Sequence, residues 1–158
     1  MTTPRAHRRG GTWQACLVAV TDWQQVLSAG DGYELYPGAA EDEIAAAEAA
    51  LEAVFPPELR GIYRATNGLL DRPGQWLVIW PLPEVVARNR EAWELEESPF
   101  RRRLVGFGDD GTGVAFCVRR DGGDGVFAWS AFTGEATRLG RSVASFWSGW
   151  VAGTLPEY

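Results

Sequence analysis

The chain contains no lysine: all 15 of the basic residues among its 158 positions are arginines. A P-loop, a protein-kinase strand lysine and a Schiff-base lysine each need that side chain, so these enzyme classes are excluded. The one histidine, His7, lies in an Arg-rich stretch without apolar periodicity, which leaves a Ser or Cys protease dyad without its base. We expect residues 1–11 to be a flexible leader and residues 12–158 to form a single domain.

Cysteine is scarce as well. Cys16 falls in a helical pattern and Cys117 in a strand pattern, which predicts buried thiols in a reducing cytoplasm rather than a disulfide. Two cysteines and one leader histidine also supply too few ligands for a tetrahedral zinc site. We therefore predict a cytoplasmic protein with no metal ion and no cofactor.

Long apolar runs are missing too. The unbroken apolar stretch at residues 15–20 is shorter than the core of a signal peptide. No stretch approaches the roughly 20 apolar residues that are needed to cross a bilayer. We expect neither export nor a membrane span.

The net charge of -6 is unevenly distributed along the chain. Eight acidic residues and no arginine occur between residues 31 and 59. Such a surface repels nucleic acid and anionic lipid and attracts a basic protein, although an acidic surface can also serve solubility alone. The candidate partner-binding residues in this segment are Glu41, Asp42, Glu43 and Glu52.

Apolar residues at helical spacing predict five helices, at residues 13–27, 41–55, 57–66, 83–97 and 143–152. Asn67 and Gly68 are expected to cap the third helix at its C-terminus, and Ser142 to cap the last one at its N-terminus. Glu48 lies on or beside the buried stripe of the second helix. We therefore expect its carboxylate to be paired with an arginine or hydrogen-bonded to a loop.

Other segments have strand periodicity. Residues 75–81 are apolar on both alternating faces, which predicts a central strand covered on both sides. Short strands with Gly-rich connections are predicted at residues 104–107, 114–119, 126–130 and 136–139. This order predicts an α+β fold, in which a mostly antiparallel sheet packs with N-terminal helices and a closing C-terminal helix.

One segment matches the dinucleotide-binding pattern G-x-G-x-x-G at Gly106, Gly108 and Gly111. Asp109 and Asp110 would place two negative charges against a pyrophosphate. The segment that follows is a predicted strand, whereas the motif needs a helix N-terminus there. We therefore predict no nucleotide site.

Four aspartates in Gly-rich turns could instead bind Ca²⁺ or Mg²⁺ or act as general acid and base: Asp109, Asp110, Asp121 and Asp124. Their spacing matches no calcium loop, and Asp beside Gly is typical of tight turns. We favour a turn role over an enzyme. Asp109 and Asp110 are kept as candidate partner-binding residues.

Trp93 is the best candidate for an exposed aromatic anchor among the eight tryptophans, because its helix is heavily charged. The alternative for Trp93 is an ordinary half-buried contact. Most of the other aromatic residues are needed to bury enough apolar surface for a stable core.

Four motifs occur in order along the chain. They are Ile44-x3-Glu48-x2-Leu51, Phe55-Pro56-Pro57-Glu58-Leu59-x3-Tyr63-x3-Asn67-Gly68, Trp76-x2-Ile79-Trp80-Pro81-Leu82-x2-Val85-x3-Asn89 and Val105-Gly106-Phe107-Gly108-x2-Gly111-x-Gly113-x2-Phe116. Over roughly residues 40 to 151 the chain resembles the SUKH superfamily, the Smi/Knr-like domain. The resemblance implies an α+β domain with no established catalytic centre. Such domains are found widely in bacteria as immunity proteins that neutralise a cognate polymorphic toxin, often a nuclease or a deaminase.

The residues and the resemblance together predict a non-catalytic protein-binding module in a bacterial cytoplasm. Its expected partner is a basic toxin domain, and neither nucleic acid nor a membrane is expected to bind. A regulatory scaffold domain in cell-wall or stress signalling is the alternative, and its partner would be another host protein.

Overall fold

The structure is a computed structural model that describes residues 21–30, 32–95 and 98–158. Within these residues, seven strands form one antiparallel sheet whose spatial order follows the chain order from β1 to β7. The strands are Tyr33–Leu35 (β1), Leu69–Asp71 (β2), Trp76–Ile79 (β3), Leu104–Asp109 (β4), Ala115–Arg119 (β5), Val126–Ser130 (β6) and Glu135–Gly140 (β7). The predicted α+β class and antiparallel sheet are confirmed.

Helices precede, interrupt and close the sheet. In the described part of the chain they are Trp23–Ser28 (α1), Glu41–Leu51 (α2), Pro57–Ala65 (α3), Leu82–Leu95 (α4) and Val143–Ala152 (α5), with a short 3₁₀ helix at Arg101–Arg103. None of the helices among these residues is both long enough and apolar enough to cross a membrane.

The ends of α2 and α5 have clear local causes. Ser142 Oγ accepts a hydrogen bond from the Ser145 N–H at 3.1 Å, and Ser145 Oγ accepts one from the Ser142 N–H at 3.1 Å. This reciprocal pair confirms the predicted cap of α5. Helix α2 ends at Leu51, four residues before the predicted end, because Glu52 has a left-handed backbone with φ of 48°.

The start of α1 and the C-terminal cap of α3, which is Thr66, were predicted wrongly. Helix α1 begins at Trp23, because the Asp22 carboxylate accepts a hydrogen bond from the Gln25 N–H at 3.2 Å and acts as its N-cap. The predicted helix over 13–27 is therefore not continuous, and its portion at residues 13–20 lies outside the described residues. Helix α3 ends at Ala65, and Asn67 Oδ1 accepts from the Leu82 N–H at 2.8 Å, where α4 begins.

Strands β1 and β2 were not predicted. Each has three residues, which is too short for a two-residue period to be recognised. The central position of β3 is confirmed, since β2 and β4 flank it.

The main core lies between one sheet face and the helices. Phe116 of β5 and Phe146 of α5 pack with their ring centroids 4.8 Å apart, and both side chains are fully buried. The opposite sheet face carries a smaller buried cluster of Leu104, Cys117 and Trp129. Burial raises the pKa of the Cys117 thiol to about 11, which keeps it protonated.

Candidate functional site

Asn89 of α4 makes four hydrogen bonds, and two of them join α4 to Gly106 of β4. Its Nδ2 donates to the carbonyls of Val85 and Gly106, each at 2.7 Å. Its Oδ1 accepts from the Gly106 N–H at 2.7 Å and from Arg101 Nη2 at 3.1 Å. Asn89 and Arg101 are both buried, so this side chain satisfies polar groups that water does not reach.

The glycines of the G-x-G-x-x-G match allow close packing. A Cβ atom on Gly106 would lie 3.1 Å from the Trp80 ring and 3.4 Å from Arg101 Nη2. A Cβ atom on Gly108 would lie 1.9 Å from the Val78 carbonyl oxygen. The chain continues into β5 after this segment and not into a helix. Gly106 and Gly108 therefore serve sheet and helix packing, as the sequence argument against a nucleotide site requires.

Trp80 contacts three separate parts of the fold. Its carbonyl oxygen accepts a hydrogen bond from Tyr63 Oη at 2.8 Å, and its backbone N–H donates to the Phe107 carbonyl at 2.8 Å. Its indole Nε1 donates to Asp109 Oδ2 at 2.8 Å. Arg88 lies 4.6 Å from the centroid of the Trp80 ring. Trp80 thus links α3, α4 and β4.

The Asp-rich turns use their carboxylates for local hydrogen bonds. Asp109 Oδ1 accepts from the Gly111 N–H at 2.7 Å, and Asp110 Oδ1 accepts from the Thr112 N–H at 2.9 Å. Asp121 Oδ1 accepts from the Gly123 N–H at 2.9 Å. The predicted turn role is confirmed for these three aspartates. Among the described residues, no three His, Cys, Asp or Glu side chains lie close enough together to hold a metal ion.

Glu41 and Glu48 of the acidic segment form ion pairs with α3. Arg60 Nη1 lies 2.7 Å from Glu48 Oε1, and Arg60 Nη2 lies 3.1 Å from Glu41 Oε2. Arg64 also pairs with Glu41. The second oxygen of Glu48 accepts from the Phe55 N–H at 3.0 Å. The predicted pairing of Glu48 is therefore confirmed with both an arginine and a loop.

Three further acids of this segment also have partners within the fold. The pairs are Glu34 with Arg72 at 3.4 Å, Glu52 with Arg120 at 3.6 Å, and Glu58 with the Ala144 N–H at 2.8 Å. Asp42 and Glu43, in the first turn of α2, are exposed and have no cationic side chain within 4 Å among the described residues. Fewer carboxylates of this segment are thus without a partner than its sequence indicates.

Trp93 is half-buried, and both its indole N–H and its ring have partners within the fold. Its Nε1 donates to the Leu104 carbonyl at 3.1 Å, and the Arg120 guanidinium lies 4.1 Å from its ring centroid. Because Arg120 also approaches Glu52, the structure brings Trp93 and Glu52 close to one another. Neither residue is near the first turn of α2, because Glu52 follows the opposite end of that helix.

The candidate partner-binding residues thus form three separate groups. Glu41, Asp42 and Glu43 lie at the start of α2, whereas Glu52 and Trp93 meet at Arg120. Asp109, the last residue of β4, and Asp110, which follows it in the turn, lie at the opposite end of β5 from Arg120. Sequence analysis missed the arginines of Arg101–Arg103 and of residues 119–120, which converge only when β4 pairs with β5.

The meander sheet, the enclosing helices and the hydrogen-bonded motif residues define a domain of the SUKH superfamily. More closely, the chain belongs to the SMI1 / KNR4 family (SUKH-1), whose model matches residues 38–149. The resemblance seen in the sequence is confirmed. No curated protein matches the chain significantly. Domains of this family are protein-interaction modules.

Proposed function

We propose that this protein is a non-catalytic immunity protein that neutralises a basic bacterial toxin domain of the nuclease or deaminase type. Its family membership supports a protein-binding role. Its net charge of -6 supports a basic partner, because opposite charge accelerates encounter. The observation that carries the proposal is the exposed pair Asp42 and Glu43, whose carboxylates are available to a partner's basic side chains.

The remaining candidates take secondary roles in this proposal. Glu41 is exposed but shared with Arg60 and Arg64, so a partner's cation has to compete with two internal ones. Glu52 and Trp93 already interact with Arg120. We expect these three side chains to contribute less binding free energy than Asp42 and Glu43.

Asp109 and Asp110 form the weakest part of the proposed surface. Their carboxylates accept turn hydrogen bonds, and Asp110 also accepts one from Tyr158 Oη at 3.2 Å. Replacing either aspartate would alter the turn itself, so a loss of binding in such variants would not identify a contact.

A pull-down from the native host at low and at high salt tests the proposal. The baits are the wild type, Asp42→Lys with Glu43→Lys, and a control with Glu91→Lys and Glu94→Lys. The control has the same charge change on exposed residues of α4. We expect the wild type and the control to retain one salt-sensitive basic protein with a nuclease-like or deaminase-like domain, and the α2 variant to lose it.

Growth of cells that express the captured toxin gives the functional measurement. The wild type and the α4 control should restore growth, and the α2 variant should not. Equal protection by all three baits would show that the first turn of α2 is only a solvated surface. Capture of host envelope or signalling proteins instead would favour the scaffold role in cell-wall or stress signalling.

A further inference from the structure

A cleft of about 670 Å³ opens between the 3₁₀ helix and the end of β5. Four arginines line it, which is unusual for a chain whose net charge is -6. We call it the arginine cleft, and its arginines are Arg102, Arg103, Arg119 and Arg120.

Strand pairing brings these arginines together. Leu104, the first residue of β4, is the partner of Arg119, the last residue of β5. The Arg120 N–H then donates to the Arg103 carbonyl at 2.8 Å, which extends the pairing beyond the strands. Two Arg runs that are far apart in sequence thus meet at one edge of the β4–β5 hairpin.

Two of the guanidinium groups are held in place by backbone carbonyls. Arg120 Nε donates to the Leu51 carbonyl at 3.0 Å, and Arg120 Nη1 donates to the Arg102 carbonyl at 3.2 Å. Arg102 Nε donates to the Trp93 carbonyl at 3.1 Å. Guanidinium groups fixed in this way lose little conformational entropy when an anion binds.

The cleft contains more positive than negative charge. Its two carboxylates are Asp121, whose Oδ2 lies 2.7 Å from Arg119 Nη2, and Glu52, which lies 3.6 Å from Arg120. No described carboxylate lies within 4 Å of Arg102 or Arg103, although both are exposed at the cleft. An arginine fork recognises a carboxylate through paired, charge-assisted hydrogen bonds. Among the residues that the structure describes, Arg102 and Arg103 are therefore the two arginines of the cleft that can bind an anionic ligand without first losing a carboxylate partner.

The cleft also has an apolar part. Phe100 and Phe127 pack edge to face with ring centroids 6.5 Å apart, and Phe100 is 42% exposed. A partly exposed aromatic pair beside fixed arginines fits an apolar side chain with acidic neighbours.

We propose that the arginine cleft binds an acidic peptide segment of a protein partner, in which carboxylates flank one apolar side chain. Peptide is favoured over phosphate because the partly exposed Phe100 ring in the cleft can contact an apolar side chain, which a phosphate group lacks. The cleft lies beyond the C-terminal end of α2, away from Asp42 and Glu43. The proposal therefore goes beyond the immunity function and does not depend on it.

Fluorescence anisotropy with a defined probe tests this proposal on the full chain. The probe is a fluorescein-labelled peptide, Gly-Ser-Glu-Asp-Trp-Asp-Glu-Gly-Ser, and its control replaces each acid by the matching amide. We expect saturable, salt-sensitive binding of the acidic peptide alone. Replacing Arg102 and Arg103 by Gln together should weaken binding by at least about tenfold, because two charge-assisted contacts are lost.

Matched variants separate the cleft from general surface charge. Arg72→Gln removes an exposed charge from the β2–β3 turn, outside the cleft, and should leave the affinity unchanged. Phe100→Ala should weaken binding, whereas Phe132→Ala, at an exposed residue outside the cleft, should not. Melting curves of each variant should show that the fold is retained.

Three outcomes would overturn the proposal. They are no saturable binding up to millimolar peptide, equal binding of the amide control, and unchanged affinity in the Arg102 and Arg103 double variant. Stronger competition by inorganic phosphate or ATP than by unlabelled peptide would show that the cleft is a phosphate site instead. None of these assays contains a toxin, so their failure would leave the immunity proposal standing.

Discussion

Glu48 and Arg60 form an ion pair with 2.7 Å between Glu48 Oε1 and Arg60 Nη1. The pair joins α2 to α3 across a sharp corner at Pro56, and the Glu48 side chain is only 13% exposed. Glu48 also accepts a hydrogen bond from the Phe55 N–H, so one carboxylate is the acceptor for both the arginine and a backbone N–H beside the corner. This arrangement explains why an acid is present beside the buried stripe of α2.

Replacing Glu48 by Ala should lower the free energy of unfolding by about 2 kcal/mol, since the Phe55 N–H loses its acceptor and the Arg60 guanidinium keeps only Glu41 as a partner. Chemical denaturation of the purified variant measures this change. Glu43→Ala, on the exposed side of the same helix, is the control and should shift it by less than about 0.5 kcal/mol. Equal effects of the two substitutions would contradict a structural role for Glu48.

Asn89→Ala should destabilise the fold by about 3 kcal/mol, because it leaves buried polar groups of Gly106 and Arg101 without a partner. Glu94→Ala, on the exposed face of α4, should have little effect. Thermal and urea unfolding monitored by circular dichroism compare the two variants. A stable Asn89→Ala protein would mean that the contact between α4 and β4 does not depend on this amide.

Gly108→Ala should prevent normal pairing of β3 with β4, because the new Cβ atom would lie 1.9 Å from the Val78 carbonyl oxygen. We expect a loss of more than about 3 kcal/mol or no folded protein. Gly134→Ala is the matched control. Gly134 has φ of +66° and nothing within 4 Å of a Cβ atom, so only backbone strain of about 1 kcal/mol is expected. Similar yields and stabilities for the two variants would contradict the close approach.

The stability of the wild type should depend on pH through Glu41. Hydrogen bonds from Arg64 and then Arg60 hold the pKa of this carboxyl below its ordinary value of 4.5. Its contribution is therefore fully present above pH 4.5 and is lost as the pH falls through the lower pKa of the folded state. Melting temperatures of the wild type and Glu41→Gln should differ above pH 4.5 and converge below it. The control is Glu43→Gln, which removes an exposed carboxylate that has no ion pair among the described residues.

Divalent metal ions should not stabilise this protein. The carboxylates of Asp109, Asp110 and Asp121 accept turn hydrogen bonds, and among the described residues no three His, Cys, Asp or Glu side chains lie close enough together to hold a metal ion. We expect no change in melting temperature with millimolar Mg²⁺, Ca²⁺ or Mn²⁺. A reproducible increase in melting temperature with one of these ions, absent in Asp110→Asn, would instead favour the hypothesis of a metal-dependent enzyme.

Local signals in the sequence predicted the parts of the fold that depend on near neighbours. Strand β6 has the bounds that its two-residue period indicates, and α5 begins after Ser142 as its cap predicts. Asn67 was misassigned because its side chain caps α4, which is 15 residues further along the chain. A cap across that separation leaves no local signal.

The candidate site was harder to predict because charge is paired in space. The acidic segment contains no arginine, yet Arg60, Arg64, Arg72 and Arg120 approach it from elements that follow it in the sequence. The arginine cleft has the same origin, since Arg102 and Arg119 are separated along the chain and meet through strand pairing. The sequence thus indicated where charged side chains occur, whereas the topology of the fold decides which of them remain available to a partner.

The strict succession from β1 to β7 also bears on how the chain reaches its native state. Each strand pairs with the next strand in the sequence. Four of these pairs, β2–β3, β4–β5, β5–β6 and β6–β7, are connected by short loops. The two other connections are longer. The one from β1 to β2 contains α2 and α3, and the one from β3 to β4 contains α4. We therefore expect the hairpins of β4 to β7 to form early in folding, with the two helical loops docking onto them afterwards.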